Sequence, residues 1–153
     1  MNSSVCVDAS LLIRTLVPDA YSPNCEALLA DWLETGTRLI APALLAFEVT
    51  ATLRRLVYQQ AISPARGEAA FTAFQHIPVR LSHRQPILPL AWDLAKQLNR
   101  PRAYDTAYLA TAQLSRCPFW TADERLYNAV KSQLNWVRWV GEFDLDSSAP
   151  TGD

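Results

Sequence analysis

Short apolar runs alternate along this chain with longer stretches of helical periodicity. Val5-Cys6-Val7 is a run of strand-forming residues that stops at Asp8, after which Ala9, Leu11, Leu12 and Ile13 take up a helical rhythm. Pro23 opens a second helix, with Ala27, Leu28, Trp32 and Leu33 at helical spacing, and Gly36 is placed to end it. Arg38-Leu39-Ile40-Ala41 reads as the second strand, and Pro42 as the start of a long helix through Leu44, Leu45, Val49, Leu53, Leu56 and Val57. Ser63-Pro64 caps a further helix that carries Phe71, Phe74 and Ile77. Val79-Arg80-Leu81 is the third strand, and a helix follows from about Leu88 to Leu98. The break at Asn99-Arg100-Pro101-Arg102 precedes the most strongly helical segment, Tyr104 to Leu114. Pro118 to Thr121 is the fourth strand, Asp123 to Lys131 a short helix, and Trp136 to Val140 the fifth strand. Such alternation predicts an α/β fold whose parallel sheet is covered on both faces. One domain over residues 1–143 is expected, and the Ser-, Asp-, Pro- and Gly-containing stretch 144–153 is expected to be a disordered tail.

Composition narrows the chemistry. With 153 residues, half of them hydrophobic, the chain is long enough to bury its own core as a single domain. Its four glycines are scattered, so neither a dinucleotide-binding turn nor a phosphate-cradling loop can be drawn. A net charge of −1 removes nucleic-acid binding on bulk charge as an argument, although a local basic surface remains open. Twelve of the fourteen basic residues are Arg, a bias toward the side chain that grips phosphate bidentately, or toward a GC-rich genome. Three widely spaced cysteines argue against a disulfide framework and for a reducing compartment. His76 and His83 lack partners at zinc-ligand spacing, and no run approaches the roughly 18 apolar residues of a membrane span. A soluble intracellular protein is the expectation.

Ligand chemistry in a parallel α/β sheet gathers at the carboxyl ends of its strands. Asp8 follows strand one and Asp123 follows strand four, so both carboxylates come to the same edge. Asp105 opens the Tyr104 helix, and Glu48 shares a helix face with Leu44, Leu45 and Ala51, which turns its carboxylate toward apolar packing. Each Asp has a plain alternative as a helix N-cap, and Glu48 as an ion pair with Arg54 or Arg55, neither at favourable helical spacing. Four converging carboxylates repel one another and must take up protons or bind cations. Oxygen-only ligands select a hard divalent ion, Mg²⁺ or Mn²⁺, and that donor set suits metal-assisted hydrolysis of a phosphodiester.

Val7-Asp8-Ala9-Ser10, the stretch from Pro42 through Glu48-Val49, the segment Ala103 to Ala110 around Asp105, and Trp120-Thr121-Ala122-Asp123-Glu124-Arg125-Leu126 resemble, in order and spacing, the four acidic motifs of PIN-domain ribonucleases. They are most similar to the VapC-type toxins of bacterial toxin–antitoxin pairs, and the resemblance runs from Val5 to about Val140. It implies a three-layer α/β/α sandwich with a five-stranded parallel sheet, dependence on Mg²⁺ or Mn²⁺, and endonucleolytic cleavage of RNA in the cytoplasm. It also implies a cognate antitoxin as partner and a homodimer as the active form. Carried across, Asp8, Glu48, Asp105 and Asp123 are metal ligands or hold metal-bound waters. Ser10 and Thr121 match polar positions beside the first and fourth acids, where their hydroxyls orient those waters or make local backbone hydrogen bonds. Many VapC-like proteins carry Asn three residues after the Glu; this chain has Ala51 there, leaving that hydrogen bond absent or supplied by Thr50 or Thr52. Glu124 beside Asp123 is expected to face solvent.

Other residues stay open at this level. Arg100 and Arg102 either contact RNA phosphate or belong to a solvated loop, and Tyr104, Tyr108 and Trp120 either stack on bases or pack in the core. A phosphoryl-receiving α/β protein would need a Lys after a late strand, whereas Lys131 falls within a helix. A PIN fold that only binds RNA or protein has little reason to keep four mutually repelling acids. A solitary housekeeping nuclease is the remaining variant.

Overall fold

The computed structural model describes residues 3–146, so most of the expected tail, residues 147–153, lies outside the described residues. Among the described residues five strands alternate with seven helices: β1 (Ser4–Val7), α1 (Ala9–Leu16), α2 (Ser22–Thr35), β2 (Arg38–Pro42), α3 (Leu44–Tyr58), α4 (Pro64–His76), β3 (Val79–Ser82), α5 (Ile87–Gln97), α6 (Tyr104–Ser115), β4 (Phe119–Thr121), α7 (Glu124–Val130) and β5 (Val137–Trp139). The strands form one sheet in the order β3-β2-β1-β4-β5, and every pairing is parallel. This is the parallel sheet covered on both faces that the alternation predicts, in the three-layer α/β/α form that the resemblance implies. Val5, Cys6 and Val7 are all buried, as a central strand covered on both faces requires.

The chain moves outward from β1 through β2 to β3 and then returns to the other side of β1 with β4 and β5. The direction of winding therefore reverses between β1 and β4, and a crevice opens outside the strand ends at such a point. Cys6 pairs with Phe119 and Val7 with Trp120, which brings the ends of β1 and β4 level. On the sheet's covering layers, Tyr108 of α6 tilts against Phe119 of β4, and Trp120 meets Trp32 of α2 edge-on.

Several boundaries differ from the sequence reading: Pro118 and Trp136 lie just outside β4 and β5, Ile77 follows the end of α4, and two further shifts fall at Pro42 and Val140. Pro42 does not start the long helix: it is the last residue of β2, paired with Ser82, and α3 begins at Leu44. A proline is tolerated there because the β1 pairing of β2 ends at Ile40, so its missing N–H leaves no gap in that ladder. Val140, read as strand, leaves the sheet in a 3-10 turn over Val140–Glu142 and is buried all the same. Gly36 ends α2 in the left-handed conformation, φ 72°, and Ser63 caps α4 by accepting the Arg66 N–H at 3.2 Å.

The α3–α4 contact is close at one position: a Cβ on Gly67 would lie 2.3 Å from Val57 Cγ2. Valine is stiff at χ1, so the helices must separate to admit a methyl group. Gly67→Ala is therefore expected to cost about 1–3 kcal/mol despite the higher helix propensity of alanine. Urea unfolding checks this; an unchanged or raised midpoint would show that α4 shifts freely.

Candidate active site

Asp8 directly follows β1, and its backbone N–H donates to the Trp120 carbonyl oxygen at 3.0 Å. Its side chain is buried, the residue being 9% exposed, and does not cap α1. Instead Oδ2 accepts two hydroxyl hydrogen bonds, from Thr121 Oγ1 at 2.7 Å and from Ser10 Oγ at 2.9 Å. Each hydroxyl oxygen in turn accepts a backbone N–H: Ser10 Oγ from Ala122 at 3.1 Å, and Thr121 Oγ1 from Asp123 at 2.9 Å. The backbone bonds fix the hydroxyl oxygens, and their single hydrogens go to Asp8. Of the two roles weighed, Thr121 makes the local backbone bond, to Asp123, whereas Ser10 reaches the distant Ala122 N–H, and both hydroxyls bind the Asp8 carboxylate directly.

Glu48 lies one turn into α3 and pairs with neither Arg54 nor Arg55. Its Oε1 accepts a 2.9 Å hydrogen bond from the phenol of Tyr108, which is itself only 2% exposed. Asp105 sits in the first turn of α6, behind the cap residue Ala103, and its Oδ2 accepts from Arg100 Nη2 at 3.1 Å. Arg100 Nε is buried with no hydrogen-bond partner, so this guanidinium is held in place chiefly by Asp105. Asp123 does cap its helix: Oδ1 accepts the Leu126 N–H at 3.1 Å.

Four elements thus deliver Asp8, Glu48, Asp105 and Asp123 to the walls of one cavity of about 440 Å³, which Ser10, Arg14, Thr52 and Arg55 also line. Burial pushes the Asp8 carboxyl up to about 6; the Thr121 and Ser10 hydrogen bonds pull it back, and the charges of Glu48 and Asp105 raise it further. Burial raises Glu48 as well, against the Tyr108 hydrogen bond and together with the charge of Asp105. Tyr108 is raised far above the phenol range by its own burial and by Asp8 and Glu48, so its hydroxyl stays a donor.

Among the described residues no three acidic, His or Cys side chains are drawn together as a ready ion cage. Arg100, Tyr108 and the α7 N-terminus each engage one of the carboxylates. The donor set fits a hard divalent cation nonetheless. It is all oxygen, shares one cavity, and includes a buried carboxyl whose ionisation the neighbouring acids oppose.

The remaining sequence candidates are dispersed. Arg102 is exposed on the loop before α6, and Glu124 is exposed in α7. Ala51 is exposed; Thr50 donates to the Ala46 carbonyl at 2.7 Å, whereas Thr52 lines the cavity. Tyr108 packs in the core, Trp120 is partly buried, and Tyr104 is 59% exposed. Sequence reasoning missed the link from Tyr108 to Glu48; its signal is that Tyr108 follows Asp105 by three residues and so shares its helix face. It also missed Arg14, which donates to the Ala122 carbonyl at 3.1 Å and pairs with Asp19 at the cavity wall.

Residues 5–131 match the model of the PIN domain, and the chain belongs to the PIN-domain family. The match spans all four acidic segments. Among characterised members, the chain is 30% identical over 132 residues to VapC ribonuclease Mb0985 of Mycobacterium bovis and to ribonuclease VapC9 of Mycobacterium tuberculosis. Each alignment covers 84% of this chain and 93% of the relative, so the VapC-type likeness drawn from the acidic segments holds over nearly the whole domain.

Asp8 gives the site a pH signature. Its folded pKa is raised above the ordinary carboxyl value of 3.8, so the native state holds the proton more tightly than the unfolded chain. The resulting stabilisation is present in full below pH 3.8 and is lost as the pH rises through about 6. Asp8→Asn keeps an acceptor oxygen and cannot ionise. In chelator it should melt above wild type at pH 7 by several degrees, since a tenfold difference in proton affinity is worth about 1.4 kcal/mol and each kcal/mol moves Tm by about 2–4 °C. The gap should close toward pH 4. Thermal melts across that range check this, and a gap that does not vary with pH contradicts it.

Proposed function

We propose that this chain is an Mg²⁺- or Mn²⁺-dependent endoribonuclease that acts as the toxin of a toxin–antitoxin pair. The observation that carries the reading is the single cavity walled by Asp8, Glu48, Asp105 and Asp123 at the switch point of the sheet. The relatives that share this domain over most of their length are named ribonucleases, which supports RNA as the substrate. We place the activity in residues 1–143, and the partners in our reading are RNA, a cognate antitoxin and a second copy of the chain. Among the described residues no helix is long and apolar enough to cross a membrane, and Cys6, Cys25 and Cys117 are free and buried, which supports a reducing, cytoplasmic setting.

In this reading Asp8, Glu48, Asp105 and Asp123 hold the ion, directly or through water. Such an ion supplies Lewis-acid activation of water and neutralises charge on the phosphodiester. The protein's own part is orientation. Ser10 and Thr121 hold one oxygen of Asp8, Tyr108 holds one oxygen of Glu48, and Asp123 is anchored by the α7 backbone. Arg100 balances Asp105 in the free protein, while Arg102 stands exposed in the same loop to meet a phosphate of the RNA backbone. A purely binding PIN fold would keep the mutual repulsion of the acids without using it.

Asp8→Asn, Asp105→Asn and Asp123→Asn are each expected to lower RNA cleavage at least about 100-fold, a loss that displaced supporting residues of metal sites already reach. The fold should survive: Asn can replace the cap that Asp123 provides, and at positions 8 and 105, where the side chain caps no helix, it keeps an acceptor oxygen for the Ser10 and Thr121 hydroxyls and for Arg100. Metal at about 100 times its Kd should stabilise wild type by about 2.7 kcal/mol, read as a raised Tm against chelator. Full activity of the three variants, or no shift with millimolar Mg²⁺ or Mn²⁺, rejects the assignment.

The toxin role has a separate test. Expression of wild type alone should arrest growth, Asp8→Asn should not, and the product of the adjacent reading frame should bind both proteins and relieve arrest. Equal arrest by the two proteins rejects catalysis as its cause.

A further inference from the structure

A second, larger cavity of about 610 Å³ lies beside the acidic one, and α3 and α6 contribute walls to both. Leu44 lines it one turn before Glu48 on α3, so the two side chains share a helix face and open onto neighbouring cavities. Tyr104 lines it and is consecutive with Asp105 on α6. Two independent elements, α3 and α6, therefore set this cavity next to Glu48 and Asp105, along the carboxyl-end edge of the sheet. Its volume lies in the range of small-ligand sites.

The lining is mixed in a specific way. Leu44 and the exposed Leu88 give it apolar walls, the Tyr104 ring is 59% exposed at its edge, and His83 and Arg84 stand exposed in the loop after β3. Only Nη1 of Arg84 is engaged, by the Leu114 carbonyl at 3.2 Å. An open aromatic face beside a guanidinium and an imidazole matches an unpaired nucleobase joined to a phosphate, because bases stack on aromatic rings and phosphate takes charge-assisted hydrogen bonds. An acidic groove alongside would repel any other part of a polyanion, so cations at this edge bear on how RNA can lie across the site.

We propose that this cavity is a base-binding subsite for one unpaired nucleotide of the RNA, next to the scissile phosphodiester, with Tyr104 as its stacking platform and Arg84 as its phosphate contact. The proposal rests on the nuclease reading and names the single-stranded substrate that reading leaves open. The competing use of this face is contact with a second copy of the chain through Leu88, Trp92 and Tyr104, all of them exposed.

The experiment measures binding in chelator, where cleavage is suppressed, of two labelled probes of equal length: single-stranded oligoadenylate and the corresponding abasic oligomer. Tyr104→Leu is expected to weaken oligoadenylate binding on the order of tenfold, the loss of one stacked base. It should leave the abasic probe unchanged, and Tyr104→Phe should bind both probes as wild type does. Arg84→Gln should weaken both probes and lower the salt slope by about one. Equal binding of oligoadenylate by wild type and Tyr104→Leu overturns the subsite, as does a wild-type dimer in sedimentation that Tyr104→Leu dissociates. The two readings separate in a cleavage assay on a random single-stranded RNA pool with Mn²⁺. If wild type cleaves the pool while Tyr104→Leu binds like wild type, the subsite alone falls. If wild type neither binds nor cleaves any probe, the nuclease reading falls and the subsite with it.

Discussion

The parallel pairing of β1 with β4 is the constraint on which the rest of the site depends. Cys6 faces Phe119, Val7 faces Trp120, and the Asp8 N–H completes the ladder on the Trp120 carbonyl. A slip of one residue would turn every side chain of β1 to the opposite face. Because both faces of β1 are buried, such a slip would lose core contacts whichever way it ran. The register that packs Val5 and Val7 is the one that sets Asp8 beside Thr121. Ser10, two residues beyond Asp8, then reaches the Ala122 N–H across the same junction.

Around this junction the protein manages an electrostatic problem of its own making. A buried carboxylate needs donors, and Asp8 has two hydroxyls whose own oxygens are pinned by backbone N–H groups. The other three acids are each given one different donor: a phenol, a guanidinium and a helix N-terminus. Each keeps further acceptor capacity, since an ionised carboxylate offers about four lone-pair sites. The free protein is thereby stable enough to fold around the acids while leaving oxygens available to a cation.

Most of the fold is legible in the sequence because local pattern and tertiary structure agree. The runs Val5–Val7, Arg38–Ala41 and Val79–Leu81 are strands, and Gly36 and Ser63 terminate and cap helices as their types demand. Pro42 and Val140 mislead because they stand at element boundaries, where the deciding fact is how far a neighbouring strand extends, and no local signal carries that. The four acids are visible as candidates through their positions after strands and at a helix start. Their partners are less visible. Arg100 lies five residues before Asp105 and is equally suited to solvent, and Tyr108 meets Glu48 across sixty residues of sequence. Contacts of that kind follow from how α3 and α6 are set against the sheet, which periodicity does not specify.

The Tyr108 hydroxyl also bears on why the acid on α3 is a glutamate while the three others are aspartates. The phenol is fixed in the core and donates to a carboxylate on a helix that starts from a different strand. Shortening that acid by one methylene would withdraw its oxygen from the phenol and leave a buried hydroxyl unsatisfied, at a cost of about 1–3 kcal/mol. Asp8, Asp105 and Asp123 lie at strand ends and helix starts, where the backbone itself brings the carboxylate to the cavity. Reach from a helix flank demands the longer side chain. The choice between the two acids at each position is therefore dictated by the distance from main chain to cavity wall, and interchange at position 48 would be resisted by the fold before any ion or substrate were involved.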